Sequence, residues 1–254
     1  MMTAASAQSN DALSLSLRRR SRTPDGWQQI EFRKQLPAIR TALLICDMWD
    51  RHWCARAAIR MHSLVPRIEA VLGFARSAGV QIIHAPSSCM PFYKDYPERR
   101  RAQNSSHVLL PVEVNLQSVR VPIDDSDEVF EIGDRLVTRQ NINITIAGDD
   151  IISDDGNEIY GFLSQRSIRD ILYVGVHSNK CILDRSFGIR QMVNFGMNCT
   201  LVRDLTDAIY SPRKWPYVSR ARAAEMIIEY IEQYWCSTIV SADLISAFKA
   251  AQNQ

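Results

Sequence analysis

Two residue types able to perform acyl transfer stand where an α/β chain would place them, just past the end of a strand. Asp47 follows the apolar run 42–46, and Cys181 lies one short turn after the apolar run 171–176. A thiolate can attack a carbonyl carbon, and a carboxylate can take the thiol proton and later return it to a leaving amine. Arg139 closes a third run at 135–139, and His84 with the turn at 86–88 closes another. In open α/β sheets, ligands bind beyond the carboxyl ends of the strands, where strand order reverses. On that rule an acid, a cation and a thiol meet on one rim. A helix is predicted over about 181–195, and Cys181 would open it. Free N–H groups and the dipole at a helix start would favour a thiolate and could receive an oxyanion. The same spacing fits a buried structural cysteine equally well.

The elements that must hold these residues follow from periodicity. Runs at 42–46, 80–84, 135–139, 171–176, 199–203 and 238–240 read as strands. Helical spacing marks 62–78, 158–169, 181–195 and 219–234 between them. Strands alternating with helices predict a doubly wound, mostly parallel six-stranded α/β sheet with helices on both faces, Rossmann-like in layout. No GxGxxG follows the first strand, so a dinucleotide site is disfavoured. Residues 1–35, with Arg18, Arg19, Arg20 and Arg22, are polar and are expected to form a loosely draped, solvated arm ahead of one domain at 36–254. Five prolines punctuate a long insert at about 85–131, a length usually given to covers or binding loops.

Composition narrows the class. With 254 residues, 46% of them hydrophobic, the chain suits a single α/β domain. A net charge of +2 with mixed signs argues against nucleic acid as a partner. No apolar run approaches the roughly 20 residues that span a bilayer, so a membrane is not expected either. Six cysteines without CxxC spacing predict reduced thiols and a cytoplasmic protein, while Ala-Ser-Ala at 4–6 leaves export of a longer precursor open.

Two stretches carry a resemblance. Ala42-Leu-Leu-Ile-Cys-Asp47 and Tyr173-Val-Gly-Val-His-Ser-Asn-Lys-Cys-Ile-Leu183, with a later strand ending Val202-Arg-Asp204, resemble the isochorismatase-like cysteine hydrolases over about 41–240. That superfamily includes nicotinamidases, N-carbamoyl amidases and biuret-type amidohydrolases. The resemblance implies Asp47 as base, Cys181 as nucleophile, and a cis peptide at Val176–His177 that aims backbone N–H groups at an oxyanion. It implies C–N hydrolysis of a small amide, ureide or carbamoyl compound through a covalent acyl-enzyme, in a homo-oligomer (dimer or tetramer). The usual lysine after the third strand is replaced by Arg139, which cannot shuttle a proton at neutral pH. Arg139 would therefore act by charge alone or grip a substrate carboxylate. A catalytically silent relative that binds a small carboxylated ligand or a protein partner is the alternative.

The loop after the first strand reads Met48-Trp49-Asp50-Arg51-His52-Trp53-Cys54. Trp49, His52, Trp53 and, from the insert, Tyr93 are expected to line the substrate pocket. Asp50 and His52 resemble half of a metal site, but metal-using relatives carry their ligand pair after the second strand, where this chain has His84-Ala-Pro-Ser-Ser88. Neither a metal nor another cofactor is expected.

Overall fold

The computed structural model describes residues 12–105, 109–111, 119–124 and 137–252. Two strands open the described chain, β1 (Ala12–Thr23) and β2 (Gly26–Pro37). There follow β3 (Thr41–Cys46), α1 (Ala55–Ser77), β4 (Gln81–Ala85), a 3-10 turn at Met90–Tyr93 and α2 (Pro97–Gln103). Next come β5 (Ile151–Ile152), α3 (Gly156–Gln165), β6 (Asp170–Val176), α4 (Cys181–Asp184) and α5 (Ile189–Asn194). The chain closes with β7 (Asn198–Asp207), α6 (Arg220–Tyr234), β8 (Ser237–Ile239) and α7 (Ser241–Gln252).

All eight strands join one sheet in the order β2-β1-β8-β7-β6-β3-β4-β5. From β3 the chain winds outward through β4 and β5; from β6 it winds the other way through β7 and β8. The reversal therefore falls between β3 and β6, which run parallel with Cys46 opposite Gly175. Every residue of these two strands is buried, as expected of parallel strands covered on both faces. Against one face α1 lays a stripe of Met61, Val65, Ile68, Val71, Leu72 and Ala75, the spacing of a helix with a single apolar side. No helix among the described residues is long and apolar enough to cross a membrane.

Three expectations are corrected. Residues 12–37 are a β-hairpin rather than a draped arm, and it lies antiparallel against β8 through Arg18↔Thr238. The Leu13-Ser-Leu-Ser-Leu17 alternation explains this, since Leu13, Leu15 and Leu17 are all buried and a period of two is what a half-buried strand requires. The four arginines are correspondingly not all free: Arg18 pairs with Glu232 at 2.7 Å and Arg20 with Glu229 at 3.1 Å. With this hairpin the sheet has eight strands among the described residues, not six.

Second, no strand covers Val137–Arg139; residues 135 and 136 lie outside the described ones. The strand beside β4 is instead the two-residue β5, Ile83 pairing with Ile151. Segment 137–140 makes one isolated bridge, Trp49–Gln140, and its Gln140 side chain meets His84 of β4. Third, the helix expected from Cys181 to about 195 is broken after one turn. The chain doubles back there so tightly that a Cβ on Gly188 would lie 2.8 Å from the Leu183 carbonyl.

Candidate active site

The reversal point brings two turns together. Cys46 ends β3, and Asp47 follows it with φ 49°, a left-handed conformation that aspartate tolerates better than most residues. The Asp47 N–H bonds the Ala85 carbonyl at the end of β4, 3.1 Å away. On the neighbouring strand, Gly175 has φ 108°, and a Cβ there would sit 2.1 Å from the Cys46 carbonyl. Only glycine permits this approach. The Val176–His177 peptide that follows is cis, at the place the resemblance implied. Ser178 and Asn179 tie this turn to the end of β7 and beyond, through Ser178 N–H to the Asp207 carbonyl (2.8 Å) and a reciprocal Asn179–Ile209 pair (2.8 and 2.9 Å).

Asp47 is fully buried. Its Oδ1 accepts from the Ser87 N–H at 2.8 Å and from the Ser87 hydroxyl, and its Oδ2 accepts from Arg185 Nε at 3.2 Å. The Cys181 thiol interacts with this carboxylate, which raises its pKa, and with the His177 backbone N–H, which lowers it. The structure brings Asp47 and Cys181 together and adds Arg185 and Ser87, which the sequence reading does not single out for this place. Arg185 lies four residues past Cys181, one helical turn, and that spacing was its only signal.

Burial pushes the Asp47 carboxyl up, more than Arg185 and the hydrogen bonds from Ser87 and Cys181 pull it down. Burial also pushes the Cys181 thiol up to about 12, helped by the Asp47 charge and opposed by Arg185. A thiol made acidic by a helix start is therefore not what the site contains: α4 has only four residues, and desolvation dominates. Burial thus raises both acids of the pair, and the Arg185 guanidinium opposes it at each.

Arg139 lies against the loop that follows β3. Its backbone is gripped by Asp50, the carbonyl accepting from Asp50 N–H at 2.9 Å and the N–H donating to Asp50 Oδ1 at 3.3 Å. Its guanidinium lies 5.5 Å over the Phe92 ring. The guanidinium in contact with Asp47 is that of Arg185. Asp50 also accepts from Thr138 N–H and hydroxyl, so it braces the 137–140 segment. His52 turns the other way. The Cys54 N–H donates to His52 Nδ1 at 3.0 Å, and His52 Nε2 lies 2.9 Å from His177 Nε2. Because a backbone N–H can only donate, a neutral His52 carries its proton on Nε2 and His177 accepts there. His177 Nδ1 then faces Asp207 Oδ2 at 3.5 Å, and Asp207 is held by Arg60 Nε at 3.0 Å. Among the described residues, no three His, Cys, Asp or Glu side chains converge as a metal site would need.

The aromatic residues of these loops pack against neighbouring segments. Trp49 is buried and spends its indole N–H on the Ser87 carbonyl at 2.9 Å, and Trp53 stacks on His52 with centroids 3.9 Å apart. Tyr93 is buried too, and its hydroxyl oxygen accepts the Gln140 N–H at 2.7 Å. It fixes the 140 segment, which is a different task from reaching toward a ligand.

No protein-family model matches this sequence, and no curated protein matches it. Solved structures do. A cysteine hydrolase from Pseudomonas syringae pv. phaseolicola is similar at 17% identity, covering 85% of this chain and 95% of that one, with a TM-score of 0.56. An isochorismatase from Pseudomonas putida is similar at 14% identity, covering 82% and 91%, TM-score 0.53. An isochorismatase family protein from Burkholderia thailandensis is similar at 12% identity, covering 83% and 96%, TM-score 0.50. The chain has the isochorismatase-like hydrolase fold, an α/β fold built on one mostly parallel sheet.

Proposed function

We propose that this fold carries a cysteine-dependent hydrolase cleaving a C–N bond of a small amide, ureide or carbamoyl compound. The observation that carries the reading is the buried Asp47 carboxyl beside the Cys181 thiol, with Arg185 on the far carboxylate oxygen. Asp47 takes the thiol proton as Sγ attacks the carbonyl carbon. A thiol pushed up to about 12 needs that partner, since almost none of it ionises alone near neutral pH. Negative charge passes from Asp47 through sulfur to the substrate oxygen. The His177 N–H, which faces Sγ at rest, and the Cys181 N–H at the first position of α4 are the donors available to that oxyanion. Asp47 then protonates the leaving amine, the C–N bond breaks, and a thioester remains on Cys181. Water, relieved of a proton by Asp47, hydrolyses the thioester and restores the thiol.

Arg185 supplies the fixed charge in this scheme, the role the sequence reading gave to Arg139. An arginine suffices because Asp47 alone moves the proton. Arg139, with Phe92 beneath it, is left to meet a carboxylate or other polar group of the substrate. The proposed setting is cytoplasmic, with no cofactor. The test is ammonia or amine release from a panel of small amides, N-carbamoyl amino acids and ureides. Turnover of any of these that vanishes in Cys181→Ala is the expected result. Turnover of none of them, together with tight binding of a small carboxylate, would overturn the hydrolase and leave a binding protein.

A further inference from the structure

Strand β2 ends the sheet, and among the described residues nothing pairs with its outer edge. It is 12 residues long, whereas exposed edges are usually kept short, bulged or guarded by charge because they template pairing with another chain. The hairpin register runs from Thr23↔Gly26 to Ala12↔Pro37 without a shift, so no bulge interrupts it. Thr23 and Gly26 close a two-residue loop, and in such a hairpin the closing pair is the hydrogen-bonded kind. Alternation from that pair leaves the N–H and C=O groups of Trp27, Gln29, Glu31, Arg33 and Gln35 pointing outward. On the side shared by even-numbered residues, Ile30 is 41% exposed and Phe32 36%. Lys34, the lysine of this strand, does not guard the edge, because its ammonium is committed to Asp170 at 2.8 Å.

We propose that β2 is a dimerisation edge that pairs antiparallel with β2 of a second copy of this chain, the two-fold axis passing at Phe32. Charge selects this register. Antiparallel partners must both present outward-facing backbone groups, so pairing residues differ by an even number. Centred on Phe32, Glu31 stands opposite Arg33 of the second copy and Arg33 opposite its Glu31, giving two equivalent ion pairs. Centring on Glu31 or Arg33 sets like charges face to face, and centring on Ile30 or Lys34 leaves both charges without a partner of opposite sign. The Phe32 register also brings the two Phe32 rings together in a non-hydrogen-bonded pair, where cross-strand side chains lie closest. It sets Ile30 against the aliphatic stem of Lys34. The two sheets become one continuous sheet, and both exposed apolar residues are covered. None of these residues touches the Cys181 site, so the inference stands apart from the proposed reaction.

Sedimentation equilibrium on the full chain over a concentration series tests it, with circular dichroism as the check on folding. The wild-type chain is expected to dimerise. Arg33→Glu and Glu31→Arg each replace two attractions by two repulsions and should raise Kd by roughly tenfold or more. Combining them exchanges the charges across the axis and should restore a Kd close to that of the wild type. Arg33 faces Ser16 within its own hairpin, so Arg33→Glu disturbs no ion pair of the monomer. A wild-type chain that stays monomeric up to about 100 µM, well above the micromolar range of weak specific complexes, would overturn the proposal. So would a dimer untouched by either single variant, which would use another surface. Weakening by both singles without rescue by the double would overturn the register.

Discussion

Asp47 and Asp150 are both buried and both paired with an arginine, yet their carboxyls are tuned in opposite directions. Burial pushes both up. At Asp150 it is outweighed: His84 Nε2 at 2.9 Å, Arg76 at 2.6 Å and the Ala147 N–H at 2.9 Å hold the carboxyl below its ordinary value. At Asp47 a single Arg185 contact at 3.2 Å, Ser87 and a neutral thiol do not offset burial, and the carboxyl stays raised. Asp150 is a strut. It links β4, through His84, to α1, through Arg76, and His84 Nδ1 reaches on to Gln140 at 3.0 Å. A strut gains from being permanently charged. A base must hold its charge loosely enough to exchange it for a proton.

Breaking each site separately should expose the contrast. The largest effect is expected from Cys181→Ala, which should lower turnover by at least about a thousandfold, whereas Cys199→Ala in β7 should cost only stability. Activity surviving in Cys181→Ala would end the nucleophile assignment. Asp47→Asn should lower kcat by roughly a hundredfold or more, the usual scale of general acid–base catalysis, and should also raise stability at neutral pH. The sign follows from linkage. A carboxyl raised in the fold contributes stability on the acid side of its unfolded value and loses it as pH rises through the folded value. At neutral pH the ionised group therefore weighs on the fold, and the asparagine removes that burden.

Arg185→Met should cost roughly a hundredfold in kcat/KM, near the scale of losing one electrostatic contact to a developing charge. Arg185→Lys should recover much of it, and Arg139→Met should move KM rather than kcat. If Arg139→Met instead matches the Arg185→Met loss, the cation has been assigned to the wrong arginine. Asp150→Asn should leave kcat nearly intact while lowering stability by about 3 kcal/mol at neutral pH, the cost of stripping a buried pair of one partner. That deficit should fade as pH falls through the depressed folded value, because stability from a lowered carboxyl exists only above it. Urea unfolding across about pH 3 to 7 reads this slope beside the opposite one expected of Asp47→Asn. Smallest of all is chelation: EDTA should leave turnover unchanged, because Asp50 and His52 are each committed to other partners. Loss of activity restored by zinc or manganese would reassign both residues.

Part of this arrangement is legible in the sequence, for identifiable reasons. Strands buried on both faces are continuous apolar runs, so β3 and β6 can be read directly, and the reversal rule then brings Asp47 to the turn after Val176. The hairpin was obscured by its arginines, although Leu13, Leu15 and Leu17 alternate with serines as a half-buried strand must. β5 has two residues, too few for any period to register, whereas Leu136-Val-Thr at 136–138 reads as a strand in its stead. Arg139 follows from that reading, yet among the described residues no strand ends there. Arg185 reaches Asp47 only because the chain breaks after α4 and packs tightly at Gly188. That is a property of the backbone path, and no local pattern announces it.

The burial that keeps the Cys181 sulfur protonated at rest also bears on its survival in an oxidising cell. Peroxide attacks thiolates far faster than thiols, and only where it can reach them. With 4% of Cys181 exposed and its thiol pushed up to about 12, the idle protein offers peroxide neither the anion nor the access. In the proposed reaction, ionisation would be confined to the moments when a carbonyl already occupies the space in front of the sulfur, so the substrate would shield the atom it activates.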